Sequence, residues 1–265
     1  MTQDKPLTGK VAIVTGAGAG IGRAIALAYG AAGARVVVAS RTPASVAAVV
    51  GEITGAGGEA LGVTCDVGFA DQIQAMVDKA VAAFGAIHIL VNNAQAFGTP
   101  SEPRLSSRRM PLEATDEEQL EFVFRTGAMA SLWAMKAVFP HMKQAGYGRI
   151  LNFGSSAGYS GAAGTVAYNM TKEAVRALTR TAAREWGQHG ITANVLVPFL
   201  KTKASTDSLA DVAMPEDAMA SRLPVRRWGT AERDLAPLAV FLAGEGSGYI
   251  TGMDFTVEGG HTLKP

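Results

Sequence analysis

A short apolar run, Val11-Ala-Ile-Val14, leads into Thr15-Gly-Ala-Gly-Ala-Gly-Ile-Gly22, and an alanine-rich segment then runs on toward Gly33. Few folds accept that order. Strand, glycine turn and helix form the first part of a βαβ unit, and in that context the glycines carry meaning. Gly16, Gly20 and Gly22, with Ile21 between the last two, let the backbone turn tightly and approach a pyrophosphate. The free N–H groups and positive dipole of the helix start would meet its charge. The next strand, Arg35-Val-Val-Val-Ala-Ser40, ends where such units meet an adenine ribose. An acid there would accept from the ribose 2′-hydroxyl and select NAD(H). Ser40 and Arg41 stand there instead, which predicts NADP(H) as the preferred cofactor and NAD(H) as the alternative, because a 2′-phosphate takes charge-assisted bonds from arginine.

The alternation continues. A helix from about Pro43 to Gly55 precedes a strand from Ala60 to Cys65, closed by Asp66-Val67. Ile73, Met76, Val77 and Ala80 recur at helical spacing, and a strand from Ile87 to Val91 then reaches Asn92-Asn93-Ala94-Gln95. Strands alternating with helices predict an α/β fold with a doubly wound parallel sheet, whose ligands sit at the carboxyl ends of the strands. From Ala96 to Glu113 runs a loop carrying Arg104, Arg108 and Arg109, either a solvated surface loop or a substrate lid. One long helix is expected over Thr115 to Gln144. Phe122, Phe124, Met129, Leu132, Trp133 and Met135 make it apolar on more than one side, which suits burial against another element or another subunit. A strand over Ile191 to Pro198, a helix over Glu232 to Leu242 and a strand over Met253 to Val257 complete the pattern. Between them, residues 199–227, with Met214, Pro215 and Pro224, read as a mobile substrate-side flap.

Composition narrows the function. With 265 residues, 48% of them hydrophobic, the chain can bury one large core, and a single domain over 1–265 is expected. A formal charge of +1 without a long basic run argues against nucleic acid or an anionic membrane as partner. Cys65, the single cysteine, leaves no internal disulfide, and glycines and Arg35 break the apolar stretch from Ala24 to Ala39 before it could span a membrane. A soluble, cytoplasmic protein is the expectation. His88, His141, His189 and His261 lack ligand spacing, so no metal site is expected, and Ser155 lacks the Gly-x-Ser-x-Gly setting of a hydrolase nucleophile.

The reactive candidates lie in the middle. Arg149-Ile-Leu-Asn-Phe-Gly-Ser-Ser-Ala-Gly158 reads as a strand ending near Ser155, followed by a helix bearing Tyr168 and Lys172. Four positions apart, these two share a helix face, and a lysine beside a phenol would draw its pKa down toward working pH. Taken alone, such a pair more often means an ordinary aromatic and a solvated charge.

Together, Thr15-Gly-x-x-x-Gly-Ile-Gly22, Asp66, Asn92-Asn-Ala94, Ser155, Tyr168-x-x-x-Lys172, Asn194 and Pro198 resemble the short-chain dehydrogenase/reductase family, from Lys10 to Gly260. The resemblance implies a Rossmann-type, seven-stranded parallel sheet and hydride transfer between a nicotinamide and a small carbonyl or alcohol substrate. It implies that Tyr168 is general acid and base, that Lys172 holds the nicotinamide ribose and depresses the tyrosine pKa, and that Ser155 positions the carbonyl oxygen. Gly16, Gly20 and Gly22 would line the pyrophosphate, Asp66 and Val67 the adenine, and Asn93 and Ala94 the adenosine and nicotinamide side. A homotetramer, or a homodimer, is the implied assembly. Three positions depart from the family. Gln95 replaces a glycine, and Gly127 stands where the family places an asparagine as fourth catalytic residue. After Pro198, either Phe199 replaces a glycine or one residue is deleted and Thr202 keeps the threonine place at the cofactor amide. With Gln95 and Phe199 at the substrate pocket, a carbonyl reductase or alcohol dehydrogenase is expected. The alternative is a dinucleotide-binding sensor or scaffold that has lost turnover.

Overall fold

The computed structural model describes residues 5–107, 109–210 and 215–262. Arg108 of the expected lid and Met214 of the expected flap lie outside the described residues. Nine strands occur among the described residues: β1 (Val11–Thr15), β2 (Arg35–Ser40), β3 (Glu59–Thr64), β4 (Ile89–Asn92), β5 (Phe97–Gly98), β6 (Pro103–Arg104), β7 (Gly148–Phe153), β8 (Ile191–Pro198) and β9 (Asp254–Val257). Seven form one parallel sheet in the order β3-β2-β1-β4-β7-β8-β9. The order turns back between β1 and β4, so the carboxyl ends of these two strands open a crevice, the place where doubly wound sheets bind ligands.

Burial on both faces explains the strand sequences. In β2, Val36 and Val38 pack into one core layer with Ile25, Tyr29 and Ile53, while Val37 and Ala39 enter the other with Ile73, Met76 and Met135. β-Branched residues suit such a doubly covered strand. Helices Gly20–Ala31, Pro43–Gly55 and Ala236–Ala243 contribute residues to the first layer, and Ala70–Phe84 and Ala130–Ala145 to the second. The expected fold class is therefore observed, as seven parallel strands between two helical layers.

Three segments differ from the sequence reading. The long helix is interrupted. Glu117–Phe124 is capped by Asp116, whose carboxylate accepts from Glu118 N at 3.1 Å, and a π-helical turn at Arg125–Met129 precedes Ala130–Ala145. Helical periodicity cannot reveal such a turn, since it adds one residue without changing the apolar pattern much. Within Ala96 to Glu113, β5 and β6 pair as a short antiparallel hairpin, and Met110 N donates to Gly164 O at 2.8 Å, which ties the loop to the segment entering the helix Val166–Trp186. Residues 199–227 contain the helices Lys203–Ala210 and Glu216–Arg222, anchored by buried Leu200, Met219 and Leu223. Its polar average concealed these three apolar anchors.

Candidate active site

Each glycine of the first loop answers a different steric demand. Gly16 and Gly20 have φ of +66° and +53°, a left-handed conformation that favours glycine. Gly22 lies inside the helix Gly20–Ala31, where a methyl would come within 2.4 Å of Gly16 O and 2.6 Å of Asn93 Nδ2. The turn is thus folded on itself and clasped by Asn93. Asn93 Nδ2 donates to Thr15 O at 3.0 Å, and Thr15 Oγ1 accepts from the backbone N–H groups of Asn93 and Ala94, each at 3.1 Å. Asn93 was expected on the adenosine and nicotinamide side, and here its amide spends a donor on holding the glycine loop against the end of β4. Thr15 as that clasp was not singled out in the sequence.

The helix behind this loop begins without a side-chain cap at Ala19 and without acids in its first turn. Its free N–H groups and glycine cradle fit a pyrophosphate. Ser40 lies at the end of β2, where its hydroxyl would be 3.2 Å from a methyl at Gly18, and Arg41 follows, exposed. None of the ion pairs among the described residues engages Arg41. Asp66 lies past β3, with Oδ1 accepting from Gly68 N at 2.9 Å, and Val67 is buried beside it. The residues present fit a nicotinamide nucleotide laid across the carboxyl ends of β1 to β4.

At the end of β7, Ser155 is extended and caps the short helix Ser156–Ser160 by accepting from Ala157 N at 3.2 Å. Tyr168 and Lys172 project from the first turns of Val166–Trp186, with Lys172 Nζ 5.5 Å from the Tyr168 ring centre. Burial raises the Tyr168 phenol above its ordinary value, and the Ser155 side chain offsets only part of that rise. Lys172 is buried, donates to Phe153 O at 2.8 Å, and is lowered to about 7 by desolvation. The resemblance implies a depressed Tyr168 pKa, whereas in the unliganded chain burial holds the phenol above its ordinary value. A buried lysine poised near neutrality is a weak source of positive charge, and the same desolvation acts on the phenol.

Phe199 and Thr202 both have partners within the chain. Phe199 N continues the sheet ladder to Val257 O at 2.9 Å, and its ring stacks on His261 at 4.3 Å and Trp228 at 5.2 Å. Phe199, expected in the substrate pocket, thus has its ring stacked between His261 and Trp228. Thr202 Oγ1 pairs with Ser205, accepting from its N–H at 3.1 Å, at the start of the helix Lys203–Ala210. Phe97 was overlooked, although its ring lies 5.2 Å from that of Tyr168. An aromatic residue in a polar loop, two positions beyond Gln95, was the available signal. Asn194 braces β8, donating to Ile250 O at 2.8 Å and accepting from Met253 N at 3.1 Å. Among the described residues no group of three His, Cys, Asp or Glu side chains is placed to hold a metal ion, and no helix is long and apolar enough to cross a membrane.

Residues 10–212 match the short chain dehydrogenase family. The short-chain reductase protein NovJ of Streptomyces niveus is 39% identical over 257 residues, covering 94% of this chain and 93% of its own. A 4-formylbenzenesulfonate dehydrogenase of Comamonas testosteroni is 34% identical, covering 97% of this chain and 99% of its own. Among solved structures, a putative NAD(P) dependent gluconate 5-dehydrogenase from Beutenbergia cavernae, with NADP bound at low occupancy, superposes with a TM-score of 0.86 at 33% identity, covering 98% of this chain and 99% of that one. A glycine-loop nucleotide site and a Ser–Tyr–Lys cluster on one sheet edge, with relatives that match nearly end to end, make this chain a member of the short-chain dehydrogenase/reductase family of NAD(P)-dependent oxidoreductases.

Proposed function

We propose that the protein moves a hydride between NADP(H) and a carbonyl or secondary alcohol, with Tyr168 as the general acid in reduction and the general base in oxidation. The observation that carries this reading is the convergence of Ser155, Tyr168 and Lys172 beside the end of β7, with Lys172 held by Phe153 O and 5.5 Å from the Tyr168 ring centre. When bound, the nicotinamide supplies or accepts the hydride. Ser155 positions the substrate oxygen and orients the phenol, and Tyr168 moves the proton at that oxygen. Lys172, held by Phe153 O, faces the same volume and holds the nicotinamide ribose. Asp66 and Val67 take the adenine, and Thr202 the cofactor amide. Phe97 walls the substrate side with an aromatic face beside Tyr168.

Ser40 and the exposed Arg41 support NADP(H) over NAD(H), since the 2′-phosphate would take charge-assisted bonds at the end of β2. The related structure with bound NADP is in keeping with this. Leu120, Phe124, Met129, Trp133 and Met170 help line an open groove of about 470 Å³ on the helices flanking the site, which supports assembly of a homotetramer or homodimer through that face. The working protein is a soluble cytoplasmic enzyme in this reading. A sensor or scaffold without turnover is not favoured, because the reacting side chains converge. The test is NADPH oxidation over a panel of aldehydes and ketones, with NADP reduction over secondary alcohols. Turnover on at least one class supports the reading, and none on any class with either cofactor contradicts it.

A further inference from the structure

Three departures from ordinary local structure meet at one point. Gln95 follows β4 with both Oε1 and Nε2 buried and without a hydrogen-bond partner. Buried amide atoms nearly always find partners, and leaving two unpaired costs stability. Gly127 lies in the middle of the π-helical turn, and glycine there costs stability as well. A methyl on Gly127 would come within 3.1 Å of Gln95 Nε2, 3.2 Å of Gln95 Cδ and 2.4 Å of Thr171 Cγ2. The absent side chain is therefore what admits the Gln95 carboxamide and the Thr171 methyl. Two costs at one point, the unpaired amide and the glycine in the π-helical turn, mark a functional spot rather than a packing solution.

The surroundings say what the amide serves. Backbone on either side of Gln95 is fixed: Ala94 N donates to Thr15 Oγ1, and Ala96 N to Thr126 Oγ1 at 3.3 Å. Phe97, two residues on, lies against the Tyr168 ring, and Thr171, whose methyl shares the space at Gly127 with the Gln95 amide, immediately precedes Lys172. An ammonium group has three donors, and the Lys172 hydrogen bond found among the described residues goes to Phe153 O. A carboxamide that can both donate and accept thus sits beside the turn that aims the buried lysine, on the cofactor side of the sheet.

We propose that Gln95 is a positioning residue, whose carboxamide gains hydrogen-bond partners only when the nicotinamide nucleotide fills the site and then fixes the aim of Lys172 through the Gly127–Thr171 contact. Gly127 is the other half of the device, since a side chain there would crowd the amide and overlap the Thr171 methyl. The inference rests on the oxidoreductase reading for its catalytic consequence, and on the buried unpaired amide alone for its thermodynamic one.

Gln95→Met keeps an unbranched side chain of similar length and removes both polar atoms. Without cofactor this variant should melt about 2–4 °C above the parent, because an unpaired buried amide has been replaced by an apolar group. Addition of NADPH should raise the melting temperature of the parent by more than that of the variant. Turnover at saturating substrate should fall about tenfold or more, with the pH profile of kcat displaced and KM little changed, each factor of ten corresponding to 1.4 kcal/mol. Gln95→Asn, which keeps a shorter amide, should recover part of the rate. An unliganded Met variant that melts below the parent, or NADPH shifts, turnover and pH profile all equal to the parent's, overturns the proposal. If the parent oxidises NADPH with no carbonyl yet the melting pattern holds, the pairing of Gln95 stands and the redox reading fails.

Discussion

The nucleotide half of the sheet edge and the substrate half are built by opposite rules. Around β1, β2 and β4 each special residue has a local cause. Gly16 and Gly20 have positive φ, Gly22 is pressed on Gly16 O, and Asn93 and Thr15 clasp the turn. On the substrate side the causes are distant. Gly127 makes sense through Gln95, 32 positions earlier in the chain, and Thr171, 44 later, and Phe199 through Trp228 and His261. The nucleotide half binds one fixed shape and can be assembled from short-range motifs. A substrate pocket is assembled from loops and helix ends that meet late in the fold, and there the pairings are particular to the chain.

The comparison breaks most easily at Gly22. Gly22→Ala places a methyl 2.4 Å from a backbone oxygen that cannot move without opening the loop, so cofactor affinity should fall by about a hundredfold or more, roughly two factors of 1.4 kcal/mol. Gly51→Ala, in a helix position with nothing within 4 Å, should leave affinity unchanged and stabilise slightly. Titration calorimetry on both variants checks the contrast, and equal losses would contradict it.

Arg41→Ala should lower the preference for NADP(H) over NAD(H) by about ten- to a hundredfold, measured as the ratio of the two dissociation constants, since one or two charge-assisted bonds are lost. An unchanged ratio would remove Arg41 from the 2′-phosphate.

A gentler effect concerns Lys172. Its folded pKa, about 7, lies below its ordinary value of 10.5, so between those values the unfolded chain holds a proton that the native lysine does not. The lysine's contribution to unliganded stability should therefore rise with pH from about 7 to 10.5 and be flat below 7. Melting curves across this range, for the parent and Lys172→Met, should show the slope in the parent and its loss in the variant. Parallel curves would place Lys172 in a less desolvated setting. Smallest of all, Phe199→Leu should lower the melting temperature by a few degrees through lost ring stacking, typically about 0.5–1.5 kcal/mol, and leave relative rates on small and bulky substrates unchanged. A changed substrate order would place the Phe199 ring at the pocket.

The same division decides what could be read in the sequence. Val11-Ala-Ile-Val14 before the glycine loop, and the alternation of strands and helices after it, carry the doubly wound sheet, because strand burial and helix periodicity are local signals. Ser155, Tyr168 and Lys172 were singled out by the resemblance to the family as a whole, since the spacing of the pair alone favoured an ordinary aromatic and a solvated charge. The π-helical turn at Arg125–Met129 was not, since its apolar pattern continues that of the helix. The phenol's raised pKa was missed because spacing shows that a lysine is near but not that both groups are desolvated. Gln95 and Phe199 were recognised as unusual, yet what they touch depends on Gly127, Thr171, Trp228 and His261, contacts made only by the folded chain.

The hydride-transfer reading stands or falls on the proton donor. On whichever aldehyde or ketone the parent reduces best, single-turnover NADPH oxidation should slow by at least about a thousandfold in Tyr168→Phe, while the NADPH dissociation constant stays within a few-fold, because the substitution removes the donating hydroxyl and little volume. A Tyr168→Phe enzyme that turns over within a few-fold of the parent would contradict it.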